Sequence, residues 1–142
     1  MKIKDIMSTD VKSVSTESTV NEAAKLMKEE NIGFIPVVEG VILRGVITDR
    51  DIILRCVAEK SDYNKLTAKE IMSEKPVYIS PEHSVTEAAR LMAREQVRRL
   101  PVCEEGKVIG VLSLGDISRS KSYFSETAAA FCDISGNGKI NK

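Results

Sequence analysis

The chain has 142 residues, of which 42% are hydrophobic and 30% charged, enough apolar material for one compact domain or two small joined ones. Its 21 lysines and arginines balance 21 aspartates and glutamates, so we expect no general attraction to nucleic acid or to an anionic membrane. No apolar run approaches the roughly 20 residues of a membrane span, and the start lacks the apolar core of a signal peptide. We therefore expect a cytoplasmic protein without a membrane segment.

One unit of the sequence occurs twice. Residues 5–52 return as residues 70–117 at a constant offset of 65 positions, and 19 of the 48 aligned pairs are identical. No insertion or deletion is needed. Because a unit of about 50 residues is near the lower limit for burying its own core, the duplication predicts one module built from both copies.

The predicted elements follow the same order in both copies. Thr19 and Ser84 each begin a capping box, in which a hydroxyl residue is followed three positions later by glutamate, and the apolar stripe after each predicts an amphipathic helix. Two short strands and a second helix follow in each copy. Pro36 and Pro101, in the first strand of each pair, indicate an edge position or an irregularity. The predicted strands are residues 34–38, 41–47, 100–103 and 107–112.

These elements predict four segments along the chain. The first unit covers residues 1–58, a polar connector covers 59–69, the second unit covers 70–120, and a C-terminal helix and flexible tail cover 121–142.

The repeated motifs resemble those of a known family. The IMS opening, the VxEAAxLM helix, the Pro-Val strand and the closing GVITDRDI and GVLSLGDI, over about residues 3 to 120, resemble a tandem pair of cystathionine-beta-synthase-type (CBS) domains. The resemblance implies an α+β fold in which two βαββα units pack through their sheets into a pseudo-two-fold module. It also implies clefts between the units that hold adenosine-containing ligands, a sensing role and a homodimer.

The closing G-h-x-[ST]-x-x-D motif holds ribose in that family, with the aspartate accepting hydrogen bonds from the sugar hydroxyls. Thr48 and Asp51 fill the motif in the first copy, and Ser113 and Asp116 fill it in the second. The same pairs are competent helix caps, and the residue pattern alone leaves that alternative open. The resemblance favours ribose binding in at least one cleft.

A basic residue before the hydrophobic-Pro-Val strand reaches the ligand phosphates in nucleotide-binding relatives. Arg99 is the predicted phosphate ligand, because a guanidinium fork matches phosphate oxygens. The alternative is that Arg98 and Arg99 are only solvated. The first copy has Gly33-Phe34 at these positions, and Arg50 is its predicted partial substitute.

The resemblance further implies that each cleft takes its adenine-contacting wall from the opposite copy. The residues predicted for the second-motif cleft are Arg99, Ser113, Asp116, Met7, Lys12, Ile32, Gly33 and Phe34. Those predicted for the first-motif cleft are Thr48, Arg50, Asp51, Met72, Val77, Val97 and Arg98. The two methionines suit a purine face and a buried core equally well.

The expected ligand is AMP, ADP or ATP, with S-adenosylmethionine and NAD as further candidates. We expect no required cofactor, no metal and no catalysis, since the sequence lacks the common catalytic motifs and its one histidine, His83, is a predicted surface residue. Cys56 and Cys103 are predicted core residues, without a CxxC pair. The function predicted is regulatory, acting on an unidentified partner protein. The alternative is a structural dimerisation module with vestigial clefts.

Overall fold

The computed structural model describes residues 1–120 together with Ala130 and Ile134. Apart from those two positions, the predicted C-terminal helix and tail lie outside the described residues. Ala130 is buried and belongs to a hydrophobic core that also contains Val85, Leu100 and Leu112. The predicted α+β class is confirmed by helices and strands that alternate along the described chain.

The chain forms two compact units, and each unit combines segments of both sequence copies. The first-copy unit contains residues 12–76 and 106–108. The second-copy unit contains residues 1–11, 77–105 and the described chain from 109 onward. The opening segment of each copy therefore lies with the helix and strands of the other copy, whereas the segments predicted from the sequence follow the repeat boundaries.

The first-copy unit contains three strands and an amphipathic helix. Its elements are β1 Val14–Ser15, α1 Val20–Glu30, β2 Phe34–Glu39, β3 Ile42–Thr48, α2 Asp49–Ile52 with a π-helical turn Ile53–Val57, and α3 Ala68–Ile71. Strand β1 runs parallel to β2, and β2 runs antiparallel to β3. Thr19 caps α1 as predicted, because its hydroxyl accepts a bond from the Glu22 amide at 3.1 Å and the Glu22 carboxylate accepts one from the Thr19 amide at 3.2 Å.

Pro36 lies in an irregular strand flanked on both sides. Strand β1 pairs only with Val37 and Val38 of β2, so it ends before it reaches Pro36. The proline has no amide hydrogen, and no strand on that side requires one from it. On the other side, β2 shifts register against β3 between Val37 and Val38. Of the two outcomes that the sequence allowed, the irregularity is the one observed.

The second-copy unit repeats this plan. Its elements are a 3-10 turn at Ile3–Asp5, α4 Val85–Glu95, β4 Arg99–Glu104, β5 Lys107–Ser113 and α5 Leu114–Ser118. The first two residues of β5 belong to the first-copy unit. Strands β4 and β5 are neighbours, and Ile79 forms a parallel bridge to Val102 as Val14 does to Val37 in the other unit. The capping box at Ser84 is present as predicted.

The opening segments are attached by matching strand bridges. Ser8 and Val111 exchange two backbone hydrogen bonds of 2.9 Å in the second-copy unit. In the first-copy unit, Ser73 donates to Val46 at 3.0 Å and Val46 donates back at 3.3 Å. Because both bridges join an IMS opening to the closing strand of the other copy, the exchange is reciprocal.

Candidate ligand-binding site

The closing motif of the first copy is locked by a reciprocal capping box. The Thr48 amide donates to Asp51 Oδ2 at 2.9 Å, and the Asp51 amide donates to Thr48 Oγ1 at 3.1 Å. Both side chains are half-buried. From the described residues, no donor reaches the second carboxylate oxygen, Asp51 Oδ1. The capping alternative is therefore realised, and one carboxylate oxygen is still available to a ligand hydroxyl.

The motif of the second copy has the same box and one additional partner. The Ser113 amide donates to Asp116 Oδ2 at 2.8 Å, and the Asp116 amide donates to Ser113 Oγ at 3.0 Å. The other oxygen, Asp116 Oδ1, accepts a charge-assisted hydrogen bond from Arg119 Nη2. Both oxygens of this carboxylate are thus engaged.

Backbone hydrogen bonds hold the residues before β2 and β4 beside these motifs. The Asp49 amide donates to the Gly33 carbonyl at 3.0 Å, and the Leu114 amide donates to the Arg98 carbonyl at 2.9 Å. In the first-copy unit, Phe34 also lies opposite Thr48 in the β2–β3 ladder. The backbone of Arg99, the residue after Arg98, consequently lies near the closing motif of its own copy.

The two methionines of the IMS openings lie against the glycines that begin the closing motifs. A methyl group added to Gly45 would lie 2.6 Å from Met72 Sδ, and one added to Gly110 would lie 2.6 Å from Met7 Sδ. Met7 and Met72 are both partly buried. Each methionine therefore packs on the closing strand of its unit, the contact that a core role requires, and remains partly accessible.

The units divide the predicted site residues in a symmetric way. Of the second-motif set, the second-copy unit contains Met7, Arg99, Ser113 and Asp116, and the first-copy unit contains Lys12, Ile32, Gly33 and Phe34. Of the first-motif set, the first-copy unit contains Thr48, Arg50, Asp51 and Met72, and the second-copy unit contains Val77, Val97 and Arg98. Within each unit the motif residues and the methionine of the other copy's opening come together. The residues predicted from the opposite unit stay a prediction.

The predicted cations differ in their partners. Arg50, Arg98 and Arg99 are exposed, and within the described part of the chain none of their guanidinium groups forms an ion pair or a hydrogen bond. Lys12 instead approaches Glu30, with 3.6 Å between Nζ and Oε1. The three arginines can therefore bind an anion without first breaking a contact to a described residue.

Arg119 contacts the second motif, and the sequence interpretation missed it. It is 73% exposed by side chain, while the Asp116 that it contacts is only 14% exposed. The spacing of three positions between an aspartate and an arginine on a helix was the available signal. The repeat gave a second signal, because the two copies differ at this position. Leu54 stands in the first copy where Arg119 stands in the second.

The surface groove of about 390 Å³ in the second-copy unit is formed by other residues. Its lining is Tyr78, Ile79, His83, Glu87, Arg90, Leu91 and Arg94. None of the predicted ligand-binding residues belongs to it. A smaller groove of about 260 Å³ in the first-copy unit includes one of them, Met72.

The two described cysteines lie in the core, and the histidine lies at the surface. Cys56 and Cys103 are buried as predicted, and burial raises the pKa of the Cys103 thiol to about 11, which keeps it protonated at neutral pH. His83 is half-exposed and lies 3.8 Å from Glu87, measured between Nε2 and Oε2.

Among the described residues, no group of three or more potential ligands gathers to hold a metal ion. No helix in the described part of the chain is long and apolar enough to cross a membrane.

The fold and the paired motifs define a tandem α+β repeat protein. The chain belongs to the CBS domain family, whose model matches residues 3–57 and again residues 68–123. The CBS domain-containing protein YhcV of Bacillus subtilis is 41% identical over 133 residues, which are 94% of this chain and 94% of that protein. The resemblance seen in the motifs is thereby confirmed.

Two solved structures of related chains contain adenosine compounds. CBSX2 in complex with AMP matches with a TM-score of 0.75 and 25% identity, covering 87% of this chain and 98% of that chain. The CBS domain pair of protein MJ0100, in complex with 5'-methylthioadenosine and S-adenosyl-L-methionine, matches with a TM-score of 0.74 and 29% identity, covering 86% and 96%.

Proposed function

We propose that this protein is a non-catalytic regulatory module that senses adenosine-containing ligands at its two closing motifs. The observation that carries the proposal is the reciprocal capping box that both motifs share, in which Asp51 and Asp116 are partly buried and oriented by a hydroxyl residue three positions earlier. The AMP, 5'-methylthioadenosine and S-adenosylmethionine bound by related chains support adenosine compounds as the ligand class.

Each residue of a motif has a chemical role in this proposal. The aspartate accepts hydrogen bonds from the ribose hydroxyls, because an ionised carboxylate offers about four acceptor positions, of which the capping bond uses one in each motif and Arg119 uses one more in the second. Arg99, exposed and without an ion-pair partner among the described residues, binds phosphate oxygens in the second motif, and Arg50 has that role in the first. Met7 and Met72 supply apolar surface to the purine.

Ligand binding then regulates by shifting a conformational equilibrium. A ligand moves that equilibrium only as far as its affinities for the two states differ, so a sensor must change the packing of its units or of its dimer when a motif is filled.

We expect a matching adenosine ligand to raise the thermal midpoint of the protein, and loss of the aspartate in a motif that binds it to reduce that rise, or to abolish it where only that motif binds. At about 100 times its dissociation constant, a ligand stabilises the folded state by about 2.7 kcal/mol, which for this chain length corresponds to roughly 5–10 °C. The measurement is thermal unfolding with AMP, ADP, ATP, NAD and S-adenosylmethionine, on wild type, Asp51→Ala and Asp116→Ala.

The control is Glu22→Ala, which removes the equivalent carboxylate from the capping box of α1 and leaves both motifs intact. Each variant is compared with its own unliganded midpoint, because losing a capping box itself destabilises a helix by about 1 kcal/mol. A rise that Asp116→Ala loses and Asp51→Ala keeps assigns the ligand to the second motif. If no compound raises the wild-type midpoint, the sensing proposal is wrong.

A second candidate function, dimerisation, is favoured by an exposed apolar turn. Ile53, Leu54 and Val57 lie within one turn of the π-helical segment and are 57%, 47% and 63% exposed. Exposed apolar side chains that cluster in this way mark interaction surfaces. We propose that a second copy of the chain covers this turn, which agrees with the homodimer expected from the family resemblance.

We expect Val57→Asp to convert a dimer into a monomer, because a dimer would bury the new carboxylate without a partner. Sedimentation equilibrium measures the change, from about twice the 15.6 kDa mass of one chain to that mass. Val41→Asp is the matched control, since Val41 is similarly exposed but lies in the turn between β2 and β3. A wild-type chain that sediments as a monomer, or a Val57→Asp chain that stays dimeric, would contradict this interface.

A further inference from the structure

The two motifs differ at one carboxylate oxygen. Asp116 Oδ1 accepts a bond from Arg119, while Asp51 Oδ1 receives none from the described residues. The difference is encoded in the repeat, because the position that matches Arg119 in the first copy is Leu54. In the second motif, the carboxylate oxygen that the capping box does not use is thus paired with a cation before any ligand binds.

The Arg119 side chain turns back over the motif. Its Nη2 contacts Asp116, and its Nη1 would lie 3.7 Å from a methyl group added to Gly115, which in turn would be 3.5 Å from Ser113 Oγ. The first copy has Arg50 at the position of Gly115. Each motif therefore has an arginine in or just after it in the sequence, four positions later in the second copy than in the first, and of these two only Arg119 contacts the aspartate of its motif.

We propose that Arg119 determines the charge of the ligand that the second motif accepts, selecting phosphate-bearing nucleosides over uncharged ones. This inference rests on the proposed function. An uncharged nucleoside must share Asp116 with Arg119 and offers the guanidinium only neutral acceptors in return. A nucleoside phosphate gives the same guanidinium an anionic partner, and its five donors allow it to hold the phosphate and the carboxylate together.

The charge selection is expected to appear as a ratio of affinities. With the first motif inactivated by Asp51→Ala, calorimetric titration compares AMP with adenosine as the uncharged probe. Replacing Arg119 by leucine, the residue of the first copy, should lower the preference for AMP by roughly twofold to fivefold, the range that exposed ion pairs usually contribute. Arg119→Lys keeps the charge without the fork and should retain an intermediate preference.

Arg94→Leu is the matched control, because it removes a similarly exposed arginine of the same unit and should leave the ratio unchanged. A chain that binds AMP with the same preference with and without Arg119 overturns the inference and leaves the sensing proposal standing. Adenosine binding that appears only in Arg119→Leu supports the inference. If neither compound binds wild type, Asp51→Ala or the Arg119 variants, both proposals are wrong.

Discussion

Replacing Gly45 by alanine is expected to lower the free energy of unfolding by about 2–3 kcal/mol. The added methyl group would lie 2.6 Å from Met72 Sδ and 2.6 Å from the carbonyl oxygen of Ser73. The methionine can rotate, but the carbonyl belongs to the backbone bridge between Ser73 and Val46. The substitution therefore forces the opening segment away from β3. Urea denaturation measures the loss.

Gly115→Ala is the control for this substitution. Its methyl group would meet nothing closer than 3.5 Å, and alanine is favoured over glycine in a helix by up to about 1 kcal/mol, so this variant should be as stable as wild type or slightly more stable. The corresponding Gly110→Ala should destabilise like Gly45→Ala, because Met7 Sδ and the Ser8 carbonyl lie at 2.6 and 2.9 Å. If Gly45→Ala is as stable as Gly115→Ala, the opening segment is not held against β3.

Replacing Leu112 by alanine should have the largest effect on stability, a loss of about 3–5 kcal/mol. Leu112 is fully buried on β5, in the core that also contains Leu100, Met92 and Ile117. Truncation removes three carbons from that core and leaves a cavity that the surrounding strands and α4 can close only in part. Chemical denaturation followed by circular dichroism gives the change.

Leu112→Met tests whether the loss comes from the missing volume. Methionine conserves the volume and the apolar character of the site, so its cost should stay below about 1.5 kcal/mol. Equal losses for alanine and methionine would mean that leucine is required for its shape, and a small loss for alanine would mean that the core can rearrange around Leu112.

The local elements were predictable because the signals for them are local. Thr19 and Ser84 are followed at the correct spacing by glutamates, and both capping boxes form where they were predicted. The motif residues Thr48, Asp51, Ser113 and Asp116 were found through the repeat and the family resemblance, and the structure gives both pairs the same geometry.

The local patterns alone could not predict the exchange of opening segments, and only the family resemblance had placed Met7 with the second motif and Met72 with the first. Because the two copies share their motifs, Ser8 could pair with Val46 of its own copy or with Val111 of the other, and the sequence pattern favours neither. The choice depends on the direction in which the chain leaves the opening, a property of the three-dimensional fold. Arg119 was missed for a related reason, since a capping pattern does not show which way a long side chain turns.

The reciprocal exchange also bears on how such a chain could arise. A polypeptide with a single copy would expose the edge of its closing strand and carry an unattached opening segment, and two such polypeptides could satisfy each other by swapping those segments. Joining them through a short linker would replace an association between molecules by one within a molecule, at the much higher effective concentration that a tether provides. The duplicated chain can thus be understood as a swapped dimer whose two polypeptides have been joined into one.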